Sequence, residues 1–298
     1  MPPRLALILA ALAASTPVAA EDFQRDLAQW RADRLARLTA PDGWLSLVGL
    51  LWLQPGENSI GTAEDNSLRL ATGPAYLGKV TLEADGRVTF LAAPGSLATS
   101  DGAPVPGSKY GAVELVYRSG KPTLVTAQTL SFLVIQRSDK IGLRVRDSES
   151  ERRRGFVGID YFAADPAWRI EADWVAFEQP RMIPITNMLG QTSPSPCPGK
   201  VVFTRDGQTI ELLPITEGGD GTLFFILSDA TSGGETYEAS RFLYAEPAKG
   251  GKVILDFNRA QNPPCAFTPF ATCPLPPKEN RLKIRIAAGE KAYRGEHH

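Results

Sequence analysis

The 298 residues carry 32 Lys and Arg against 33 Asp and Glu, a formal charge of −1, and 43% of them are hydrophobic. Charges this balanced lack the clustered basic surface that nucleic-acid binding needs, and the run Arg152-Arg153-Arg154 follows Glu149 and Glu151 as a solvated turn would. The only two histidines, His297 and His298, end the chain. That excludes an internal Ser-His-Asp triad, a Cys-His pair and a histidine zinc site, and leaves acid–base work to Asp, Glu, Lys, Tyr or Cys.

Residues 1–20 read as a secretory signal peptide. Arg4 gives a positive start, Leu5 to Ala14 is apolar, and Val18-Ala19-Ala20 supplies a small-residue cleavage site before Glu21-Asp22. The apolar run is shorter than the roughly twenty residues a membrane-spanning helix needs, and no later stretch is long enough. The expectation is a protein without a transmembrane segment, periplasmic or secreted. Residues 21–40 are expected to be helical: Phe23, Leu27, Trp30, Leu35 and Leu38 fall near one face, Arg25, Arg31, Arg34 and Arg37 occupy the rest, and Pro41 ends the segment.

Strand signals dominate from there. Lys79–Glu83 and Arg87–Leu91 flank Ala84-Asp85-Gly86, and Val201–Thr204 and Thr209–Pro214 flank Asp206-Gly207, both hairpin patterns. Ala112–Tyr117 with Thr123–Ala127, and Thr129–Arg137 with Lys140–Arg146, are expected to pair likewise. The stretch Trp168–Phe177, then Thr222–Ser228, Arg241–Glu246, Lys252–Phe257 and Arg281–Ala287, complete the strands. Many short strands between turn residues predict a mainly β protein. Pro180 to Pro198, with Pro194, Pro196 and Pro198 alternating, reads as an extended connector. It divides the chain into a β-sandwich half over 41–180 and a second β half over 181–298 that ends in a proline-rich segment.

The three cysteines are Cys197, Cys265 and Cys273. In an oxidising compartment an even pair bridges, and Cys265 and Cys273 are the nearest pair, so a disulfide is expected between them, with Cys197 left free. No metal site is expected: the calcium-loop spacing is missing and the cysteines lack further ligands. Nothing suggests a cofactor.

Two resemblances follow from particular stretches. Gly49–Leu53, Gly56-Glu57-Asn58-Ser59-Ile60-Gly61, Asn66–Leu70 and the strand from Gly78 resemble a forkhead-associated β-sandwich. That family's phosphate-gripping arginine is replaced here by Thr62, so the resemblance implies a fold and not phosphopeptide binding. The C-terminal phrases Ser228-Asp229-Ala230-Thr231, Leu255-Asp256-Phe257-Asn258-Arg259, Asn262–Phe267, Ala271–Pro277, Glu279–Leu282 and Ala288–Lys291, with Gly43-Trp44-Leu45 near the start, resemble the bacterial family catalogued as domain of unknown function 1684. Over the whole mature chain that resemblance implies a grouping and no activity.

The same C-terminal block holds the candidate site. Asp256 and Asn258 share one face of a strand-like run, opposite Leu255 and Phe257. Asp229, Thr231, Tyr237 and Arg241 flank a glycine turn, and Asn262, Glu279 and Asn280 lie beside proline-stiffened loops. If the loops fold back, Arg241 can pair with Asp256 or Asp229. Three readings stay open. One is an exported binding or accessory protein using Asp229, Thr231, Tyr237, Arg241, Asn258, Asn262 and Asn280 to hold a small-molecule or envelope ligand. The second is a hydrolase of envelope or extracellular carbohydrate with Asp256 and Glu279 as an acid/base pair. The third is a structural envelope protein in which the network only anchors irregular loops.

Overall fold

The computed structural model describes residues 17–105, 107, 111–217 and 219–295. Most of the expected signal segment and the two histidines lie outside these. The protein is mainly β, with one long N-terminal helix, α1 (Pro17–Thr39), followed by antiparallel sheets. No helix among the described residues is long and apolar enough to cross a membrane.

Eleven strands build a sandwich after α1. They are β1 (Leu47–Trp52), β2 (Gly56–Gly61), β3 (Leu68–Arg69), β4 (Gly78–Leu82), β5 (Val88–Ala92), β6 (Thr99–Ser100), β7 (Ala103–Pro104), β8 (Val113–Glu114), β9 (Val125–Ala127), β10 (Leu130–Arg137) and β11 (Lys140–Asp147). One sheet has the order β1-β11-β10-β9-β6-β7 and the other β3-β2-β4-β5-β8. Their inward residues share one core: Ile60, Val80 and Phe90 from the second sheet meet Val125, Phe132, Leu143 and Val145 from the first. Phe90 and Phe132 touch edge to face across the layers, with ring centroids 5.3 Å apart. The hairpins expected at 79–91 and 129–146 form as β4–β5 and β10–β11. The segments at 112–117 and 123–127 do not make a hairpin ladder: β8 joins β5 while β9 joins β10 and β6, so the chain changes sheets between them.

A short helix, α2 (Glu151–Arg154), leads to the second group of strands. These are β12 (Arg169–Thr186), β13 (Thr192–Arg205), β14 (Gln208–Leu212), β15 (Ile215–Thr216), β16 (Leu223–Leu227), β17 (Arg241–Ala245) and β18 (Lys252–Asp256). They form two sheets, β14-β13-β12-β18 and β15-β16-β17. Every residue of β16 is buried. Phe225 and Leu227 face the larger sheet, alongside Val201, Phe203 and Leu255, while Phe224 and Ile226 pack with Phe242, Ile185 and Cys273 on the other side. A strand covered on both faces explains the unbroken Leu-Phe-Phe-Ile-Leu run.

The expected proline connector is instead the far end of a long β-ribbon, in which β12 and β13 pair out to Thr186 and Thr192. Alternate prolines point their missing N–H groups to one edge. Pro194, Pro196 and Pro198 occur where β13 pairs only with β12, before β14 joins at Val201. The free edge therefore absorbs all three, and no ladder bond is lost.

Beyond β18 the chain runs through short 3-10 turns at Phe257–Arg259, Pro264–Ala266 and Lys278–Asn280. Backbone bonds tie this segment down, among them Ser228 N–H to Asn280 O, Ala230 N–H to Ile284 O and Glu290 N–H to Ala260 O. The first element packs on the last: Leu38 of α1 shares a core with Leu45, Ala266 and Phe267. On α1 the buried stripe is Leu27, Arg34 and Leu38, whereas Leu35 is 43% exposed. The apolar face is thus rotated from the expected one and carries an arginine.

Candidate functional site

The polar C-terminal block folds into closed knots. Arg241, on β17, is 0% exposed. Its guanidinium donates to Asp229 Oδ2 at 2.5 Å and to the carbonyls of Ile286 and Ala288. Asp229 Oδ1 accepts from the Thr231 amide at 2.8 Å, the Thr231 hydroxyl at 2.7 Å and the Ile286 amide at 3.2 Å. Burial pulls the Arg241 guanidinium below its usual pKa, and Asp229 works against that shift. A buried charge of this kind is tolerable because Asp229 supplies its counter-charge, although Arg241 Nε is left without a hydrogen-bond partner.

The remaining candidates are held separately. Asp256 Oδ1 accepts from the Asn258 amide at 3.1 Å and its side-chain Nδ2 at 3.0 Å, capping the turn at Phe257–Arg259. Asn258 clamps the backbone of Asp165, accepting its N–H at 3.0 Å and donating to its carbonyl at 2.9 Å. Asn280 ties Leu213 and Ile226, accepting from Leu213 N–H and donating to both carbonyls. Asn262 donates to Lys291 O at 2.7 Å. Glu279 sits on another turn beside Lys278, 3.8 Å away. The structure thus brings together Asp229, Thr231 and Arg241, and Asp256 with Asn258. Asp256 and Glu279 sit on different turns with different partners. Asp256 and Tyr237 each line a cleft, and not the same one.

Cys265 and Cys273 are neighbours, as the sequence leads one to expect, but the bond between them is not formed. Both are free thiols, as is buried Cys197. The peptide N–H of each donates to the sulfur of the other, at 3.1 and 3.3 Å, so the pair is satisfied without a covalent link.

A larger cleft than those of Asp256 and Tyr237 lies elsewhere, with a volume of about 780 Å³. Its walls come from α1 (Trp30, Arg34, Arg37), the loop after it (Asp42 to Trp44), β11 (Arg146), the end of β17 (Tyr244, Ala245, Glu246) and the turn beyond β18 (Arg259, Gln261). Gly43 makes the loop possible: its peptide turns back on the helix end, and a side-chain carbon there would lie 2.6 Å from the Arg37 and Leu38 carbonyls.

Arg34 fixes one wall. Its Nε donates to Glu290 Oε1 at 2.8 Å and its Nη2 to Asn262 O at 2.9 Å, in a buried ion pair that spans 256 residues of sequence. Glu290 Oε2 also accepts from the Asn262 amide at 2.7 Å. Gly289 allows this placement, since its φ of +80° brings it against the Phe257 and Ala260 carbonyls where a side chain would clash. Arg259 is next to Asp256, Nε to Oδ2 at 3.4 Å.

Two cations in the cleft have no such partner. Among the described residues neither the Arg37 nor the Arg146 side chain makes a hydrogen bond or an ion pair. Arg37 is exposed and Arg146 half-buried. Desolvation lowers the pKa of Arg146, with only Asp42 pulling it back. Arg144, two residues along the same strand face, lies over the Trp44 ring at 5.1 Å and is pulled down to about 10, chiefly by burial and then by Arg137 and Arg146. Tyr244 stacks flat on Phe224, centroids 4.7 Å apart, and lines the cleft. The wall therefore combines unpaired guanidinium groups with the rings of Trp30, Trp44 and Tyr244. Among the described residues its hydroxyls are those of Thr222 and Tyr244.

None of these cleft residues was among the candidates. One signal was readable, an arginine at position 34 on the stripe set by Leu27 and Leu38; the others meet only through the tertiary fold.

Residues 154–291 match the family model described as "Protein of unknown function (DUF1684)", which supports that family for this part of the chain. The match starts after Gly43–Leu45, and the forkhead-associated likeness of the first half is not confirmed. Among solved structures, the solution NMR structure of the uncharacterized protein from gene locus rrnAC0354 of Haloarcula marismortui is 30% identical, with 48% of this chain and 81% of that chain covered and a TM-score of 0.41. No curated protein matches.

Proposed function

We propose that this chain is an exported binding module whose cleft between α1, β11 and β17 holds an anionic ligand with a flat apolar face. The observation that carries the reading is Arg146: a half-buried guanidinium with no partner, in a cleft lined by three aromatic rings. Desolvating an unpaired charge is unfavourable in the free protein, and a ligand carboxylate, sulfonate or phosphate would supply the missing partner with charge-assisted hydrogen bonds. The rings would stack on the ligand body and interact with Arg groups through their faces. Export rests on the character of residues 1–20.

The polar C-terminal block then serves as the anchor that positions Arg34 and Glu290. A ligand role for Arg241, Asp229 and Thr231 would require opening a network in which the Asp229 carboxylate is already fully engaged. The test is calorimetric titration of the full chain with 1-naphthalenesulfonate, an anion on a flat ring. Saturable binding that Arg146→Gln weakens by about tenfold, the worth of one charge-assisted contact of roughly 1.4 kcal/mol, supports the reading. Binding that is equal in both proteins contradicts it.

A further inference from the structure

We propose that Cys265 and Cys273 form a thiol–disulfide exchange site, with Cys265 as the attacking sulfur and Cys273 as the resolving one, that takes a disulfide substrate through a second cleft. That cleft has a volume of about 570 Å³ and is lined by Cys265, Tyr237, Thr236, Ala271, Met188 and Leu189. It is separate from the anion cleft, and the proposal stands without that reading.

Three observations carry it. The first is access. Cys265 reaches the cleft wall, whereas Cys273 is 5% exposed and sits behind it in the core with Phe224 and Ile226. An attacking thiol needs to meet solvent and a resolving thiol does not. The second is preorganisation. The reciprocal N–H to sulfur bonds at 3.1 and 3.3 Å hold the two side chains together across a short loop, and the Cys265 thiol is also within 3.3 Å of Ala271 O. The dithiol is therefore a satisfied state in its own right, with the two cysteines already held side by side.

The third is asymmetry. Contact with Cys273 lowers the Cys265 pKa, while contact with Cys265 and burial raise that of Cys273. Exposure points the same way, because the sulfur at the cleft wall is the one an incoming disulfide reaches. Cys197 provides an internal contrast: it is 0% exposed, bonded to Gly199 O, and raised by burial. The tip of the β12–β13 ribbon forms the rim, with Met188 and Leu189 nearly half exposed. It is stitched to the resolving cysteine by the Met188 N–H to Cys273 O bond at 3.0 Å. An apolar rim suits a partner whose disulfide lies in a hydrophobic surface.

The chemistry balances with the substrate as oxidant. The Cys265 thiolate attacks one sulfur of the substrate disulfide, the substrate S–S bond breaks, and one substrate thiolate leaves as a mixed disulfide forms. Cys273 gives its proton to that thiolate and attacks the Cys265 sulfur, expelling the second substrate thiolate, which takes a proton from water. Two electrons pass from the chain to the substrate, and the reverse sequence runs when the partner is a dithiol.

The test uses the reduced full chain and oxidised glutathione, read by mass. The wild type should lose two hydrogens. Cys273→Ser should instead accumulate one glutathione on Cys265, and Cys265→Ser should accumulate none. Should either variant fail to fold, the wild type alone decides: in native buffer near neutral pH, iodoacetamide should label Cys265 about tenfold faster than Cys273 or Cys197, the order set by thiolate fraction and exposure. Equal labelling, labelling only after unfolding, glutathione on Cys197, or a 265–273 bond that excess reduced glutathione leaves intact in the native protein overturns the proposal. The last of these outcomes identifies a permanent structural disulfide.

Discussion

The C-terminal polar block and the cleft beside α1 make opposite use of arginine. Arg241 is enclosed with Asp229 and two carbonyls, and the Asp229 carboxylate accepts from Arg241, Thr231 and Ile286. The Arg146 side chain is half-buried and makes no hydrogen bond or ion pair. Both are desolvated, yet only Arg241 has an ion-pair partner. A dense cluster of polar residues signals chemistry less reliably than a single polar group whose partner is missing, because buried groups that satisfy one another are what an irregular, proline-rich segment needs in order to stay folded.

That contrast is broken most severely at Arg241. Arg241→Ala leaves the Asp229 carboxylate buried without its cation and should cost about 3–5 kcal/mol, read as a fall in the urea midpoint. A variant of unchanged stability would show that the knot is not structural. Arg34→Ala should approach the same cost, since Glu290 is 0% exposed and loses the cation it is paired with; it should also weaken naphthalenesulfonate binding, because the α1 wall loosens. Asn280→Ala removes three hydrogen bonds between strands and the C-terminal turn and should cost about 1–3 kcal/mol, with no effect on binding.

Asp256→Ala is expected to cost about 1 kcal/mol, the worth of a cap. It bears on the carbohydrate-hydrolase reading as well: any glycosidase activity of the wild type that this change abolishes would restore a catalytic role to the block. The smallest stability effect belongs to Arg146→Gln, neutral or slightly stabilising within about 0.5 kcal/mol, because it removes a half-buried charge that has no ion-pair partner.

Local pattern made the helix and the hairpins legible. Ala84-Asp85-Gly86 and Asp206-Gly207 mark turns that form where expected, because turn residues act through their own backbone. The possible Arg241–Asp229 pairing could also be read, as the two residues are close in sequence and flank one turn. The proline ribbon was misread as a connector because a ladder depends on which edge of β13 is free, a property of its neighbours. The cleft was invisible for the same reason. Residues 30–44, 146, 244 and 259 belong to five elements, and no spacing in the chain marks their meeting. Arg34 was the exception, a charge on a helix stripe otherwise formed by Leu27 and Leu38, and it was assigned to the solvent face only because Leu35 was counted with the core.

The most direct measurement is a titration of 1-naphthalenesulfonate into the wild-type chain and Arg146→Gln, with urea unfolding of both alongside. The account predicts saturable binding to the wild type, weakened about tenfold in the variant, with superimposable unfolding curves. Identical binding by two equally stable proteins would contradict it, and would mean that the unpaired guanidinium in the cleft is not a ligand contact.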